Sequence, residues 1–383
     1  MKPDVAAAGE FRRLEIGGLS VWPPVVLAPM AGVTNAAFRT LCRRFGAGLY
    51  VSEMLTARAL LEGHRPTLRM VEFAPGEAPR SVQLYSADPR AVHDAVAMLT
   101  EAVGVDHIDF NLGCPASRIT RNGGGAALPL HRPLLAAVLG AAVAAAGSVP
   151  VTAKFRKGID DEHLTFIETG LIAESEGCSA VTLHARTAEQ HYSGTADWSA
   201  IAELKQAVTT IPVLGNGDIW EAGDALRMIR ETGCDGAVVG RGCLGRPWLF
   251  RDLADAFDGR QPQGPATIGE VVTVMIEHAN LLVDWFGTQR ALRDFRKHTS
   301  WYLTGYRVGR ETRRRLNQVE SIAELARLLH TLDLTQTLPP EAARMPRGHT
   351  SGPRKVALPR RYPQQTGGEW TSTSASEAMV SGG

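Results

Sequence analysis

The chain lacks a dominant charge. Its 383 residues carry 41 lysines and arginines against 40 aspartates and glutamates, a formal net charge of +1. Phosphate binding needs a basic footprint, so the total by itself argues against a nucleic-acid partner. Cysteine is sparse as well. Five thiols (Cys42, Cys114, Cys178, Cys234 and Cys243) are scattered without CxxC spacing. That excludes a zinc ribbon or a redox pair, no metal is expected, and the odd count suits reduced thiols. Long apolar runs are missing too. The longest without charge, LLAAVLGAAVAAAG at 134–147, falls short of the ~20 residues a membrane helix needs. The opening MKPDVAAAGEFRRLEIGG has no apolar stretch of signal-peptide length. A soluble, cytoplasmic protein with no membrane contact is expected.

What is present is an ordinary globular mixture, 44% hydrophobic and 21% charged, with ample apolar surface for a core. Short β-branched runs recur: VVLAPM, LYVSEM, SVQLY, HIDFNLG, VPVTAKF, AVTLHAR, IPVLGNGDI and GAVVGRG. Helical patterns separate most of them, as in DPRAVHDAVAMLTEAVG at 88–104, where Asp88 caps and Pro89 takes the first helical position. Apolar strands alternating with amphipathic helices mean a parallel sheet buried on both faces. Eight such units predict an α/β fold, a (β/α)8 TIM barrel over residues 1–260; a doubly wound open sheet is the alternative. After Phe250 three helical patterns follow without strands, which predicts a smaller all-helical domain over 261–335. From 336 to 383 the chain is rich in Pro, Gly, Ser and Thr, a composition that predicts a disordered tail.

In a barrel of this kind, reactive groups gather at the C-terminal ends of the strands. Those ends hold Pro29-Met30, Glu53, Gln83, Asn111 with Cys114, Lys154, His184 with Arg186, Asn216-Gly217-Asp218 and Gly240-Arg241. One thiol, one ammonium, one imidazole and several amides form a set suited to a single pocket. The run Gly240 to Gly245 fits GxGxxG, but it follows the last strand, where a dinucleotide fold would need a further βαβ unit. Loops after strands 7 and 8 more often form a phosphate site, with Gly217 and Gly240 admitting the phosphate and Arg241 supplying charge. Lys154 is either a lysine snorkelling from the mouth or a fixed charge beside an electron-rich ring. His184 alone fits a satisfied core histidine equally well. Cys114 sits between Gly113 and Pro115 with Gly123-Gly124-Gly125 behind it, which predicts a mobile flap carrying a reactive group. Whether it is a nucleophile or a proton donor with an ordinary thiol pKa stays open on these residues.

APMAGVTNAAFR, SEM, VQL, DFNLGCP, KFRKG, TLHART, QHYSGTADW, GNGDI and VGRGCLGRPW occur in this order between 28 and 248. In these motifs the chain resembles the tRNA-dihydrouridine synthases over about 14–335, most strongly the bacterial B-type branch. The resemblance implies an FMN-bearing barrel, a helical tRNA-binding domain and NADPH-dependent reduction of the C5–C6 double bond of a D-loop uridine, by a monomer. Matched position by position, Pro29, Met30, Ala31, Gln83, Lys154, His184, Asn216, Gly217, Asp218, Gly240 and Arg241 would hold FMN. Cys114 would be the proton donor to C5, and Asn111 and Arg186 would face the substrate. Arg118 and Arg121 stand where lysines are common, and Ala185 stands at a glycine-like position. A flavin reductase of a free pyrimidine, or a tRNA-binding protein without catalysis, are the alternatives.

The resemblance returns attention to the charge. Residues 1–286 hold 25 basic and 32 acidic side chains. Residues 287–315 reverse this, with Arg290, Arg293, Arg296, Lys297, Arg307, Arg310, Arg313, Arg314 and Arg315 against Asp294 and Glu311. Arg293, Arg296 and Lys297 lie three and four apart, expected on one helical face beside Trp301 and Tyr302. That face is either merely solvated or tracks RNA phosphates, and the density of charge with flanking aromatics favours RNA.

Overall fold

The computed structural model describes residues 5–348 and 352–359. Eight parallel strands form the centre: β1 (Val25–Leu27), β2 in two pieces (Leu49–Tyr50 and Met54–Thr56), β3 (Ser81–Tyr85), β4 (His107–Leu112), β5 (Val151–Arg156), β6 (Ala180–His184), β7 (Val213–Asn216) and β8 (Gly236–Val239). Pairing runs from β3 to β8 and on to β1. The first piece of β2 pairs with β1 and the second with β3, so the interrupted strand completes the ring. This is the (β/α)8 barrel, not the open sheet. Alternation along the strands sorts the core into two shells: Val25 and Leu27 face the outer helices, while Val26 faces inward with Leu49, Ala180, Leu214 and Val238. A hairpin (Leu14–Ile16 and Leu19–Val21) plugs one end of the barrel with Leu14, Ile16 and Val21. Only the other end, where the strands finish, is left to build a site.

Local chemistry explains the helices. Asp88 accepts from the backbone N–H groups of Arg90 and Ala91, starting the helix Pro89–Met98, which continues as one wider turn and ends at Gly104 in the left-handed region. The alanine-rich run becomes the helix Arg132–Ala146, stopped by Gly147 with φ 60°. Among the described residues no helix is long and apolar enough to cross a membrane.

Beyond the barrel lie the helices Ile268–Phe286, Thr288–Tyr302, Arg310–Leu316 and Ile322–Leu329. They share a core of Val271, Met275, Leu282, Phe295, Leu325 and Leu329, which also takes in Ala37 and Trp248 from the barrel. The last glycine of the GxGxxG run lies where the two layers come close together. Gly245 has φ 65°, and a Cβ there would collide with the backbone of Trp301 and Tyr302.

The expectation of disorder from 336 onward does not hold for the described part. Thr337 bridges to Thr267, Leu338 donates to Ala266 O, and Pro340–Ala343 forms a short helix with Ala342 and Ala343 buried. Arg347, only 2% exposed, donates to the carbonyls of Trp301, Thr304 and Ala342. Composition averaged over the stretch hid these few buried anchors. The expected tail beyond 359, and residues 349–351, lie outside the described residues.

Gly245→Ala is expected to lower unfolding free energy by about 2 kcal/mol or more, because it adds both left-handed strain and a backbone clash. Urea denaturation beside wild type measures it.

Candidate active site

A cavity of about 660 Å³ opens over the C-terminal ends of the strands, within the range of small-molecule and cofactor sites. All eleven positions expected to hold a flavin line it: Pro29, Met30 and Ala31 after β1, Gln83 on β3, Lys154 on β5, His184 on β6, Asn216, Gly217 and Asp218 from β7, and Gly240 and Arg241 after β8. Asn111, Cys114, Arg186 and Lys297 line it too.

The thiol is held by a chain of hydrogen bonds that starts inside the barrel. Asp109 is 4% exposed, and its carboxylate accepts from Thr152 Oγ1 at 2.6 Å and Gln83 Nε2 at 2.6 Å. Burial pushes its pKa up to about 6. With its amide committed to Asp109, Gln83 turns its oxygen to Asn111 Nδ2 at 2.9 Å. Asn111 Oδ1 then accepts from the backbone N–H groups of Gly113 (3.2 Å) and Cys114 (2.9 Å). Asn111, which also lines the cavity, therefore shapes the turn that carries the thiol. Arg156 supports the same turn by donating to Gly113 O. Behind it, Ala126 N donates to Cys114 O, and a Cβ on Gly125 would lie 2.6 Å from that oxygen. The expected flap is thus a packed turn, with Ala126, Ala127 and Leu128 buried. Burial pushes the Cys114 thiol up, against smaller opposing effects of Ala116 N–H, Arg156 and Arg118. It stays protonated at neutral pH, which suits proton donation and not nucleophilic attack.

On the facing strands Lys154 Nζ donates to Asn216 Oδ1 at 2.9 Å, and Asn216 Nδ2 donates to Val238 O. Burial, and then the charge of Arg156, lower the Lys154 pKa to about 8. His184 is buried among four cations and held well below its ordinary value, so it is a neutral imidazole. Asp218 has φ 54° and gives both carboxylate oxygens to Arg186 at 2.8 Å. Arg186, 1% exposed, also binds Ser193 O and Gly194 O. It braces the loop after β6 against the turn after β7 while lining the cavity. Among the described residues its Nη1 has no partner although buried. Gly217 takes φ 137°, where a Cβ would come within 2.6 Å of that of Ala196.

The helix Thr288–Tyr302 closes one side. Lys297 and Trp301, four apart, line the cavity. Arg293 and Arg296 are exposed away from it, and Tyr302 is buried in the helical core. Tyr302 therefore does not share the exposed face expected for it beside Arg293, Arg296 and Lys297. Asp109, Arg156 and Tyr192 went unassigned in the sequence. Spacing could have revealed the first two, since Asp109 is two residues from Asn111 and Arg156 two from Lys154, on the same side of their strands. Tyr192, whose ring lies 4.5 Å from the Arg241 guanidinium, comes from an irregular loop with no such pattern.

Eight parallel strands with a thiol, a lysine and a glycine turn over their C-terminal ends define an enzyme of the TIM-barrel class. Its fold resembles that of histamine dehydrogenase from Rhizobium sp. 4-9, with a TM-score of 0.52 at 12% identity over 85% of this chain and 64% of that one. The family model for dihydrouridine synthase (Dus) matches residues 26–338. A probable tRNA-dihydrouridine synthase of Mycobacterium tuberculosis is 53% identical over 355 residues, covering 90% of this chain and 91% of that protein. The tRNA-dihydrouridine synthase B of Pseudomonas aeruginosa is 38% identical over 308 residues, covering 80% and 92%. The chain belongs to the dihydrouridine synthase family, and with it to the flavin-dependent oxidoreductases.

Iodoacetamide should modify Cys114 slowly at neutral pH, with the rate rising at a higher pH than for free cysteine, near ~8.5. Mass-spectrometric labelling across a pH series measures it, and a thiolate-like rate at neutral pH would contradict the assignment.

Proposed function

We propose that this enzyme reduces uridine in the D-loop of tRNA to dihydrouridine, with FMN bound in the cavity and NADPH as the reductant. The observation that carries the reading is that a protonated thiol, Cys114, shares one cavity with a half-buried, cationic Lys154. The residues fit FMN. The unpartnered Arg186 Nη1 beside Gly217, the uncrowded Gly240 and the Arg241 guanidinium suit a phosphate. Pro29, Met30, Ala31, Gln83, His184 and Asn216 would surround the ring, while Asp218, its carboxylate spent on Arg186, offers its backbone. When bound, the flavin supplies the hydride-transfer chemistry.

The chain's own groups supply the rest. Lys154 places positive charge where reduction would build up negative charge. Cys114 Sγ carries the proton for C5 of the uracil, held in place through Asn111. Trp301 and Lys297 offer a stacking surface and a charge to a uridine taken out of the RNA stack. Arg293 and Arg296 face outward, where RNA phosphates can track them. The setting is the cytoplasm, and the working unit a monomer.

Cys114→Ala should retain FMN yet lose at least ~100-fold in dihydrouridine formation on tRNA, the scale of a positioned proton donor. Wild-type turnover in that variant would remove Cys114 from the mechanism. Assaying uracil and uridine beside tRNA tests the substrate class, and equal turnover of the free pyrimidine would overturn it. Flavin-free protein should bind FMN more weakly as pH rises through about 8, where Lys154 loses its charge, and Lys154→Met should abolish that dependence. Reversing Arg293 and Arg296 to Glu should weaken tRNA binding and flatten its salt dependence while leaving FMN in place.

A further inference from the structure

The family match ends at residue 338, yet the described chain goes on to touch the catalytic side of the barrel. Arg347 fixes it to the helical layer through Trp301 O and Thr304 O, and Gly348 lines the cavity. Gly352–Pro359 then lies across three of the loops that follow the strands. Arg354 N donates to Glu189 O at 2.9 Å, in the loop after β6, and Val356 N donates to the Glu189 carboxylate. Thr120 Oγ1, in the loop after β4, donates to Ala357 O at 2.7 Å. Val356 and Leu358 pack on a small apolar cluster of Ala126, Ile159 and Ala188, one residue from each of the three loops, with Leu130 beside them. This cluster is separate from the barrel core and from the helical core.

We propose that Gly352–Pro359 is a positioning strap for Cys114, a part of the active site that lies beyond the residues the family model matches. The route is short. Ala126, under the strap, donates its N–H to Cys114 O. Thr120 is the buried end of the helical turn Ser117–Thr120 that follows the thiol. The network from Asp109 holds the Cys114 turn from the barrel side, through Asn111, and the strap holds the same turn from the solvent side. Without the strap the apolar cluster would open to water, and the loop would be fixed on one side only. A reacting group displaced by even a fraction of its productive geometry loses rate more than binding. The strap does not touch substrate in this account, so it is a positioning element, and its role in catalysis rests on the function proposed above.

The test uses full-length protein carrying Val356→Ser with Leu358→Ser, and separately Thr120→Val and Thr120→Ser. Two readouts are taken: the rate at which iodoacetamide labels Cys114, and single-turnover dihydrouridine formation with the KM for tRNA. In the double variant Cys114 labelling should rise several-fold and the single-turnover rate should fall about tenfold, with KM changed less than about twofold and FMN content unchanged. Thr120→Val should move both readouts in the same direction, and Thr120→Ser, which keeps the donor, should restore them; this pair decides the matter if the double variant does not fold. Unchanged labelling overturns the strap, as does faster labelling without loss of rate in an enzyme active on tRNA. A rise in KM alone also overturns it, since the segment would then be an RNA contact. A wild type inactive on tRNA, with labelling still dependent on the strap, would overturn the proposed function and leave the strap standing.

Discussion

A carboxyl group buried in the mouth of a barrel has to be met by hydrogen bonds or give up its charge. Asp109 is that group, and the order of the site follows from how it is satisfied. Thr152 and Gln83 donate to it, so the Gln83 amide is fixed with its oxygen outward. That oxygen fixes the orientation of Asn111, and Asn111 accepts from the N–H groups that place Cys114. Because each member orients the next, the turn that carries the thiol is tied to the interior through Asp109, Gln83 and Asn111. The same low dielectric that raises the Asp109 pKa also keeps Cys114 protonated and draws Lys154 down to about 8.

Much of the architecture was legible because strands and helices announce themselves by period. All eight strand runs and the Asp88-capped helix follow from local pattern. The break in β2 did not, since LYVSEM reads as one continuous run and only the demands of two different neighbours split it between Leu49–Tyr50 and Met54–Thr56. The site was legible as a set of residues at strand ends, and less so as a set of roles. Asn111 and Arg186 show why: both are polar residues near a cavity, but their hydrogen bonds are spent on backbone and on Asp218, which no spacing discloses. Likewise the composition of 336–359 suggests disorder, while Leu338, Arg347, Val356 and Leu358 each find a partner distant in sequence.

Charge tells a similar story about averages. Near-neutrality comes from an acidic barrel joined to a basic helical segment, and within that segment the cations are sorted again. Lys297 faces the cavity while Arg293 and Arg296 face out. Position along the helix does part of this sorting, because Arg293 lies one turn before Lys297 and Trp301 one turn after it, and the cavity takes only the later end of that stripe; Arg296 lies about 100° round the cylinder from Lys297.

The contact at Gly245 bears on how a substrate reaches the thiol. Backbone meets backbone there, between the turn after β8 and the end of the helix that supplies Trp301. Side chains can change rotamer to let two bodies slide, but main chain pressed on main chain has no such play. The wall of the cavity formed by Trp301 is consequently tied to the barrel at its backbone, so a side chain added at Gly245 would displace that wall as well as strain the turn.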